Sequence, residues 1–505
     1  MESVVQYLLL ALVLTSVQIS YTESKLTQRR DKSERRYHAG KNKDNICEIT
    51  DRASKVHCYC ESTEIKTARR ADCWVFNGGI EESDPIWSSF NSQPFLERLA
   101  FNVRSDGALK FIPLQVIHHL KRLQKLSIHY ATFNKIEKKV FHNMTTVREI
   151  ILMNDKITEL DFSSFVNLPL LVNLTIKENK ITEIQRDVFV DLPSLKNLDL
   201  SFNNINLVYD GCFEHLTTLN DLTLESNLIS VLTKDVFRGL ANLTRLDLRS
   251  NKLSAIGDLT FTELWNLNEL LLDNNELKYL SERAFDGLVL LQKLSMTGNK
   301  LTAINEGLLE GVRGLELLDL RNNEIVTFTY DTIKPIMDNL KLKTSVLYLS
   351  GNKLRCDCRL IWIQVLRNET TSEPLKSALD DVTCMIDAGD KFTRPTKAVD
   401  FNDNTKTDGL LEIISNSDVL NQEINEDEGV NRLHKIETTV QPFESQLTVV
   451  NIPVESLSCA NKLAQNSEDS LMLSSKDESY WKNSSFKLLS NLYLVSTLLL
   501  SSILY

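Results

Sequence analysis

The sequence predicts an elongated solenoid of short coils, with a parallel sheet on its inner face and disulfide caps at its ends. Three observations predict it. A 24-residue period runs unbroken over nine stretches, asparagine and phenylalanine recur at fixed places within it, and cysteine clusters flank it.

The period starts at Leu123 and restarts at Val147, Leu171, Leu195, Leu219, Leu243, Leu267, Leu291 and Leu315. In the stretch opened by Leu195 the key positions are Leu198, Leu200, Asn203, Ile205, Val208, Phe213 and Leu216. The next stretch repeats them as Leu222, Leu224, Asn227, Ile229, Leu232, Phe237 and Leu240. The order L-x-x-L-x-L-x-x-N-x-L is the leucine-rich-repeat template. The predicted fold class is therefore an α/β-type leucine-rich-repeat solenoid. Its concave face is a parallel β-sheet and its convex side is irregular or 3-10.

Each position has a physical task. Alternating L-x-L puts two side chains on one face of a short strand, and these strands stack in parallel. The asparagine turns the chain inward, and its amide both donates and accepts hydrogen bonds to buried backbone. Asn179, Asn203, Asn227, Asn251, Asn275, Asn299, Asn323 and Asn352 form this ladder, while Ala131 and Asp155 take its place in the first two repeats and weaken it there. On the opposite side Phe141, Phe165, Phe189, Phe213, Phe237, Phe261 and Phe285 are expected to stack as one continuous spine, continued by Leu309 and Ile333. Residues 87–121, with Phe95, Leu96, Leu99 and Phe101, read as one or two irregular lead-in coils without an assigned register. At the other end the last full repeat is stretched by Lys334 and Pro335, and a partial one follows with Leu347, Leu349, Asn352 and Leu354.

Around the repeats the chain divides by composition. Residues 1–22 hold an apolar run from Val4 to Val17 followed by small residues, the pattern of a secretion signal. Residues 23–45 are a basic, disordered leader with paired arginines at 29–30 and 35–36. An N-terminal cysteine cap occupies 46–95, the repeats 96–355, and a C-terminal cysteine cap 356–400. Residues 401–482 are acidic, rich in Ser and Asn, and read as a flexible stalk. Residues 483–505 end the chain in an apolar tail after small residues. This is the pattern of a glycosylphosphatidylinositol signal, removed on attachment at Asn483 or alternatively Ser474. The expected location is the extracellular side of the plasma membrane, held by that lipid and without a cytoplasmic domain.

Secretion makes disulfides the default for the cysteines. His57, Cys58 and Cys60 could otherwise be drawn as metal ligands, but a metal is the weaker reading. Cys212, just before Phe213, reads as a buried structural thiol. The segment Cys356, Asp357, Cys358, Arg359, Leu360, Ile361, Trp362 resembles the C-terminal cap of secreted leucine-rich-repeat proteins, and Cys47 to Cys73 resembles their N-terminal cap. Four cysteines alone allow three connectivities. The resemblance implies Cys47 with Cys60 and Cys58 with Cys73. At the other end Cys356 is expected to pair with Cys384, which leaves Cys358 with the distant Cys459 as its candidate.

A net charge of −11 argues against nucleic acid as a partner. No nucleophile elbow, phosphate loop or zinc-protease motif occurs, so neither an enzyme nor a cofactor is expected. Glycosylation sequons stand at Asn143, Asn173, Asn242 and Asn368, and again at Asn483, where one competes with the anchor. The residues between the leucines form a mixed-charge, acid-leaning concave face suited to protein recognition. The preferred contact patch there is Arg245, Asp247, Arg249, Glu269 and Asp273.

Five segments carry a further resemblance: Asn45 to Cys47, His57 to Cys60, Cys73 to Phe76, Leu243 to Lys252 (LTRLDLRSNK), and Leu366 to Thr370. With them residues 45–384 resemble the connectins, lipid-anchored leucine-rich-repeat cell-adhesion proteins of insects. The resemblance implies homophilic adhesion between nerve and muscle surfaces during axon target recognition. The alternative is a lipid-anchored co-receptor or receptor for a different extracellular protein.

Overall fold

The computed structural model describes residues 45–386, apart from Arg52, and residues 446–457. The expected secretion signal, basic leader and anchor signal lie outside the described residues, as do Asn483, Ser474 and Cys459. The chain falls into two units, one of residues up to 384 with 448–450, the other of 385–447 and 451 onward. In the second unit the described residues include a single 3-10 turn, Val454–Ser456.

One 13-stranded sheet organises the first unit. Its strands are β1 (Val56–Cys60), β2 (Arg70–Val75), β3 (Arg98–Val103), β4 (Lys125–His129), β5 (Glu149–Met153), β6 (Asn173–Thr175), β7 (Asn197–Asp199), β8 (Asp221–Thr223), β9 (Arg245–Asp247), β10 (Glu269–Leu271), β11 (Lys293–Ser295), β12 (Leu317–Asp319) and β13 (Val346–Tyr348). Spatial order follows chain order. β1 and β2 form an antiparallel hairpin, and every later pairing is parallel. The lead-in stretch has a definite register after all. Leu99 lies opposite Leu126 and Phe101 opposite Ile128, so Leu96, Leu99 and Phe101 form one coil whose strand lies 27 residues before the next. A phenylalanine in a leucine position and three extra residues hid it from the period.

The leucines are inside because alternate strand residues share a face. Leu195, Leu198, Leu200, Ile205 and Phe213 are all at most 1% exposed. Burying each such side chain contributes about 1.5–3 kcal/mol, gained only when a neighbouring coil covers it.

Asparagine joins each coil to the one before. Asn251 donates from Nδ2 to the carbonyls of Leu224 (2.9 Å) and Leu248 (3.1 Å), and its Oδ1 accepts from the Ile229 N–H at 3.0 Å. The same pattern holds at Asn203, Asn227, Asn275, Asn299, Asn323 and Asn352. Just ahead of the asparagine every coil passes through the left-handed region. Tyr130, Asn154, Glu178, Phe202, Ser226, Ser250, Asn274, Gly298, Asn322 and Gly351 all have φ between 54° and 75°. That turn is obligatory, so Tyr130 and Phe202 adopt it at a cost of about 1–2 kcal/mol each.

Asp155 occupies the ladder position of the second repeat. Its Oδ1 accepts from the Ala131 N–H at 2.8 Å, as an asparagine oxygen would. Its Oδ2 is buried with no hydrogen-bond partner among the described residues. In the ladder that place belongs to a donor, and burial pushes the Asp155 carboxyl up to about 8.

The phenylalanine spine departs from one continuous stack. Phe141, Phe165 and Phe189 stack at 5.1 and 5.7 Å, and Phe237, Phe261 and Phe285 at 5.8 and 6.2 Å. Phe213, also buried, stands between the two runs. The reason is a change of backbone. Phe141–His142, Phe165–Val166 and Phe189–Val190 form a small extended sheet, whereas from Gly211 onward the same segment makes turns. β-branched Val166 and Val190 after the phenylalanine favour the extended form, which His142 joins by pairing with Val166, whereas Glu214 and Arg238 at that place do not favour it.

Both ends are plugged and stapled. At the N-terminal side Cys47–Cys60 and Cys58–Cys73 cross-link the hairpin, where Cys58 and Cys73 lie directly opposite. Trp87 and Phe90 pack against Phe101 beside it. At the far end Cys356–Cys384 closes the cap around α1 (Ile361–Glu369) and α2 (Glu373–Asp380). Cys358 is also disulfide-bonded. Trp362 docks its ring against Phe328 and donates from Nε1 to the Phe328 carbonyl at 3.0 Å. Each bridge contributes about 3 kcal/mol by restricting the unfolded chain. The described part of the expected flexible stalk is not free. Val449 is fully buried, its N–H donates to Val382 and its carbonyl accepts from Gln364. The apolar pair Val449 and Val450 interrupts the acidic composition at this place.

Asn251→Ala is expected to destabilise the fold by about 1–3 kcal/mol, since it strands the buried Ile229 N–H, while the Leu224 and Leu248 carbonyls keep bonds from Asn227 and Asn275; chemical denaturation measures it. Asp155→Asn is expected to act the other way. Folding raises this acid's pKa from 3.8 to about 8, so the folded state binds the extra proton. The contribution of Asp155 to stability is then fully present below pH 3.8 and is lost as pH rises towards 8. The asparagine variant should gain about 2 kcal/mol at pH 8 and almost nothing at pH 4, read from melting curves at both pH values.

Candidate functional site

The inner face of the sheet carries one row of side chains per strand position, and the register sets which charges meet. Asp221, Arg245, Glu269 and Lys293 are successive partners across β8 to β11. Arg245 sits 3.2 Å from both Asp221 and Glu269, and Lys293 is 2.5 Å from Glu269. Signs alternate across this row, so each charge is neutralised by its neighbours.

Asp247 lies beneath the row and is fully buried. Arg249 grips it through Nε and Nη2 at 2.9 and 2.7 Å and also donates its N–H, while Arg245 Nη2 approaches at 2.8 Å. Burial alone would raise the Asp247 carboxyl, but the Arg249 hydrogen bonds and the two guanidinium charges hold it below its ordinary value. Arg249 reaches on to Glu225 at 3.3 Å. Within the expected contact patch this corrects the role of Asp247: it is not exposed to a partner but positions the two arginines. Asp273 is likewise engaged, accepting the Ser295 hydroxyl and the Thr297 N–H (2.8 Å). The surfaces left for a partner are the outer faces of Arg245, Arg249 and Glu269. The same Asp-x-Arg clasp recurs three coils on at Asp319–Arg321, a periodicity visible in the sequence once the register is known, and again outside the period in the cap at Asp357–Arg359.

Towards the N-terminal end the inner face changes character. Lys125 pairs with Glu149 at 2.8 Å, but beyond them come Ile151, Met153 and the exposed Tyr130.

Of the sequons, Asn143, Asn242 and Asn368 are exposed. Asn173 is on β6 and its Oδ1 accepts from Asn197 at 2.6 Å, so a glycan there would stand on the inner face. Cys58 and Cys60 are consumed in disulfides and His57 packs edge-on against Phe76, which removes the metal reading. Cys212 is a buried free thiol whose burial pushes its pKa up. One cluster escaped the sequence reading. Asp187, Glu214 and His215, a coil apart, converge on the convex side, with Glu214 also held by Arg238 at 2.7 Å.

Three matches to the leucine rich repeat family cover residues 145–205, 193–253 and 241–301. The fold is a leucine-rich-repeat solenoid. A stretch of 91 residues, 18% of the chain, is 40% identical to Connectin of Drosophila melanogaster and spans 13% of that protein's length. Among solved structures the chain is similar to one in the Toll–Spatzle complex of Drosophila, at 21% identity over 59% of this chain and 50% of that one, with a TM-score of 0.46. It is also similar to a chain in the octameric complex of Latrophilin 3, Unc5D and FLRT2, at 20% identity over 62% and 89% of the two chains, with a TM-score of 0.47. No helix among the described residues is long and apolar enough to cross a membrane.

Asp247→Ala is expected to destabilise the protein by about 1–3 kcal/mol, because two half-buried guanidinium groups lose their common acceptor. Because folding lowers this acid's pKa, its contribution is present above pH 3.8 and is lost as pH falls below it. Acid unfolding of wild type and variant should therefore converge below that pH.

Proposed function

We propose that this protein is a cell-surface adhesion molecule that binds its own kind on opposing cells, as the likeness to Connectin suggests for nerve and muscle surfaces. The observation that carries the reading is the inner-face lattice of Arg245, Arg249, Glu269, Asp221 and Lys293. Its groups are held in place before binding, alternate in sign, and project from short strands of a rigid sheet. A surface carrying both signs can pair with a reversed copy of itself, whereas a surface of one sign repels its copy. Pre-organisation lowers the entropy lost on binding. The disulfide caps suit an oxidising, extracellular setting, and attachment is by a lipid at Asn483 or Ser474. A second reading, a co-receptor for a different extracellular protein, draws on the apolar N-terminal part of the inner face around Ile151, Met153 and Tyr130.

Non-adherent cells expressing the full chain are expected to aggregate with one another and not with untransfected cells. Aggregation that needs a second cell type would replace this reading with the co-receptor. Reversing Arg245 and Arg249 together to Glu should slow aggregation about tenfold or more. Phosphatidylinositol-specific phospholipase should release the protein from these cells; full retention beside a cleaved control would remove the lipid anchor.

A further inference from the structure

One coil position places a run of apolar side chains in solvent. Leu207, Val231, Ala255, Tyr279 and Ala303 stand 24 residues apart, one per coil, and all five are exposed, Val231 at 69% and Tyr279 at 58%. They lie on the flank where the chain leaves the asparagine turn for the convex side. Ala255 pairs in parallel with Tyr279, while the next residues, Ile256 and Leu280, point into the core. Each coil adds about 4.8 Å, so the stripe runs on the order of 20 Å along the flank. Nothing in the repeat requires it: earlier coils place Glu159 and Glu183 at the same position, and the fold tolerates them.

Three residues earlier in the chain, a row of charges lies on the same flank. Lys252, Glu276, Lys300, Glu324 and Lys353 alternate in sign, with Glu276 held 3.7 Å from Lys252 and 3.0 Å from Lys300. Reversing this row about a point midway between Lys252 and Glu276 sets each of the two opposite the other in a second copy. The same reversal sets Tyr279 opposite Ala255 and Val231 opposite Ala303, so large meets small at each place. The central Lys252–Glu276 pair and the apolar stripe are thus complementary to their copies about a single two-fold axis, the condition for an isologous contact; further out Lys300 and Glu324 face the uncharged Leu228 and Asn204, and like charges meet only at the far end, Lys353 with Lys180. None of Asn143, Asn173, Asn242 and Asn368 falls at either coil position, so their glycans do not occupy these rows.

We propose that this flank is a side-by-side contact between two antiparallel copies of the chain, distinct from the inner face and independent of adhesion between cells. The stripe is small, which places the contact in the weak class below about 1,200 Å² in total. Two-dimensional confinement on one cell surface would raise the local concentration that such a contact needs.

The test uses the full chain on sparsely plated cells that touch no neighbour, with short surface cross-linkers. Wild type should give a cross-linked dimer. Lys252→Glu alone and Glu276→Lys alone should each reduce it about tenfold, because like charges then meet twice. Co-expressing those two variants, distinguishably tagged, should restore a dimer containing one of each, a result that misfolding cannot produce. Ala255→Arg, which fills the place facing Tyr279, should also abolish it while surface expression is unchanged. Absence of a wild-type dimer, or a dimer unaffected by these substitutions, overturns the proposal. Cell aggregation is scored separately, so either surface can fail without the other.

Discussion

Everything in this molecule depends on a buried amide that reaches backwards. Each ladder asparagine takes up a buried N–H of the preceding coil and donates to carbonyls that it shares with the neighbouring asparagines, so that two of its bonds cross to the preceding coil. A buried unpaired backbone group costs about 1–3 kcal/mol, so each coil's turn depends on a side chain of the next coil, supplied by Asp155 where the first repeat has Ala131. The turn in turn fixes the direction of the strand, the strand fixes the register, and the register decides which charges share the inner face. The alternation of Asp221, Arg245, Glu269 and Lys293 is therefore a product of a 24-residue spacing as much as of the charges themselves.

The inner face shows how a repeat can hold charge close together without instability. Asp247 is buried, yet it stays ionised because two guanidinium groups and an N–H converge on it. It spends its charge inside the protein and leaves the arginines fixed but with outer surface to offer. A buried ion pair is weak evidence for stability. Here its effect is positional, since a clasp repeated at Asp319 and Arg321 gives the same posture three coils away.

Much of this was legible in the sequence, and the parts that were not have identifiable causes. The period, the leucine positions and the asparagine ladder could be read because each coil meets the same environment, so the same residue type recurs. The coil of Leu96, Leu99 and Phe101 was hidden because a cap coil contacts a neighbour on only one side that repeats, which relaxes its length. The break at Phe213 was hidden because both convex conformations bury the same ring; only Val190 against Glu214 one residue later separates them. Burial of Asp247 could not be read from a pattern that places its neighbours Leu246 and Leu248 inside and seems to leave it outside. The clasp needs Arg249, two residues on, and a register that sets Arg245 alongside. The apolar stripe is not legible because its five members differ in size and type, from Ala255 to Tyr279, and share only the period and their exposure.

The backward reach of the asparagines also gives the molecule a mechanical grain. Consecutive coils are joined by short parallel strands whose hydrogen bonds run along the direction in which the coils stack. Tension between the two ends would therefore open the array one coil at a time, like a zip, rather than shear many bonds at once. The coil at the C-terminal end is the last link of the ladder, since its Asn352 ties it back to Leu320 and Ile325 and no later ladder asparagine among the described residues ties it forward. It is there that Cys356–Cys384 and the Trp362 plug are placed. A covalent clamp beside a terminal coil adds a bond that the additive packing of the array does not supply.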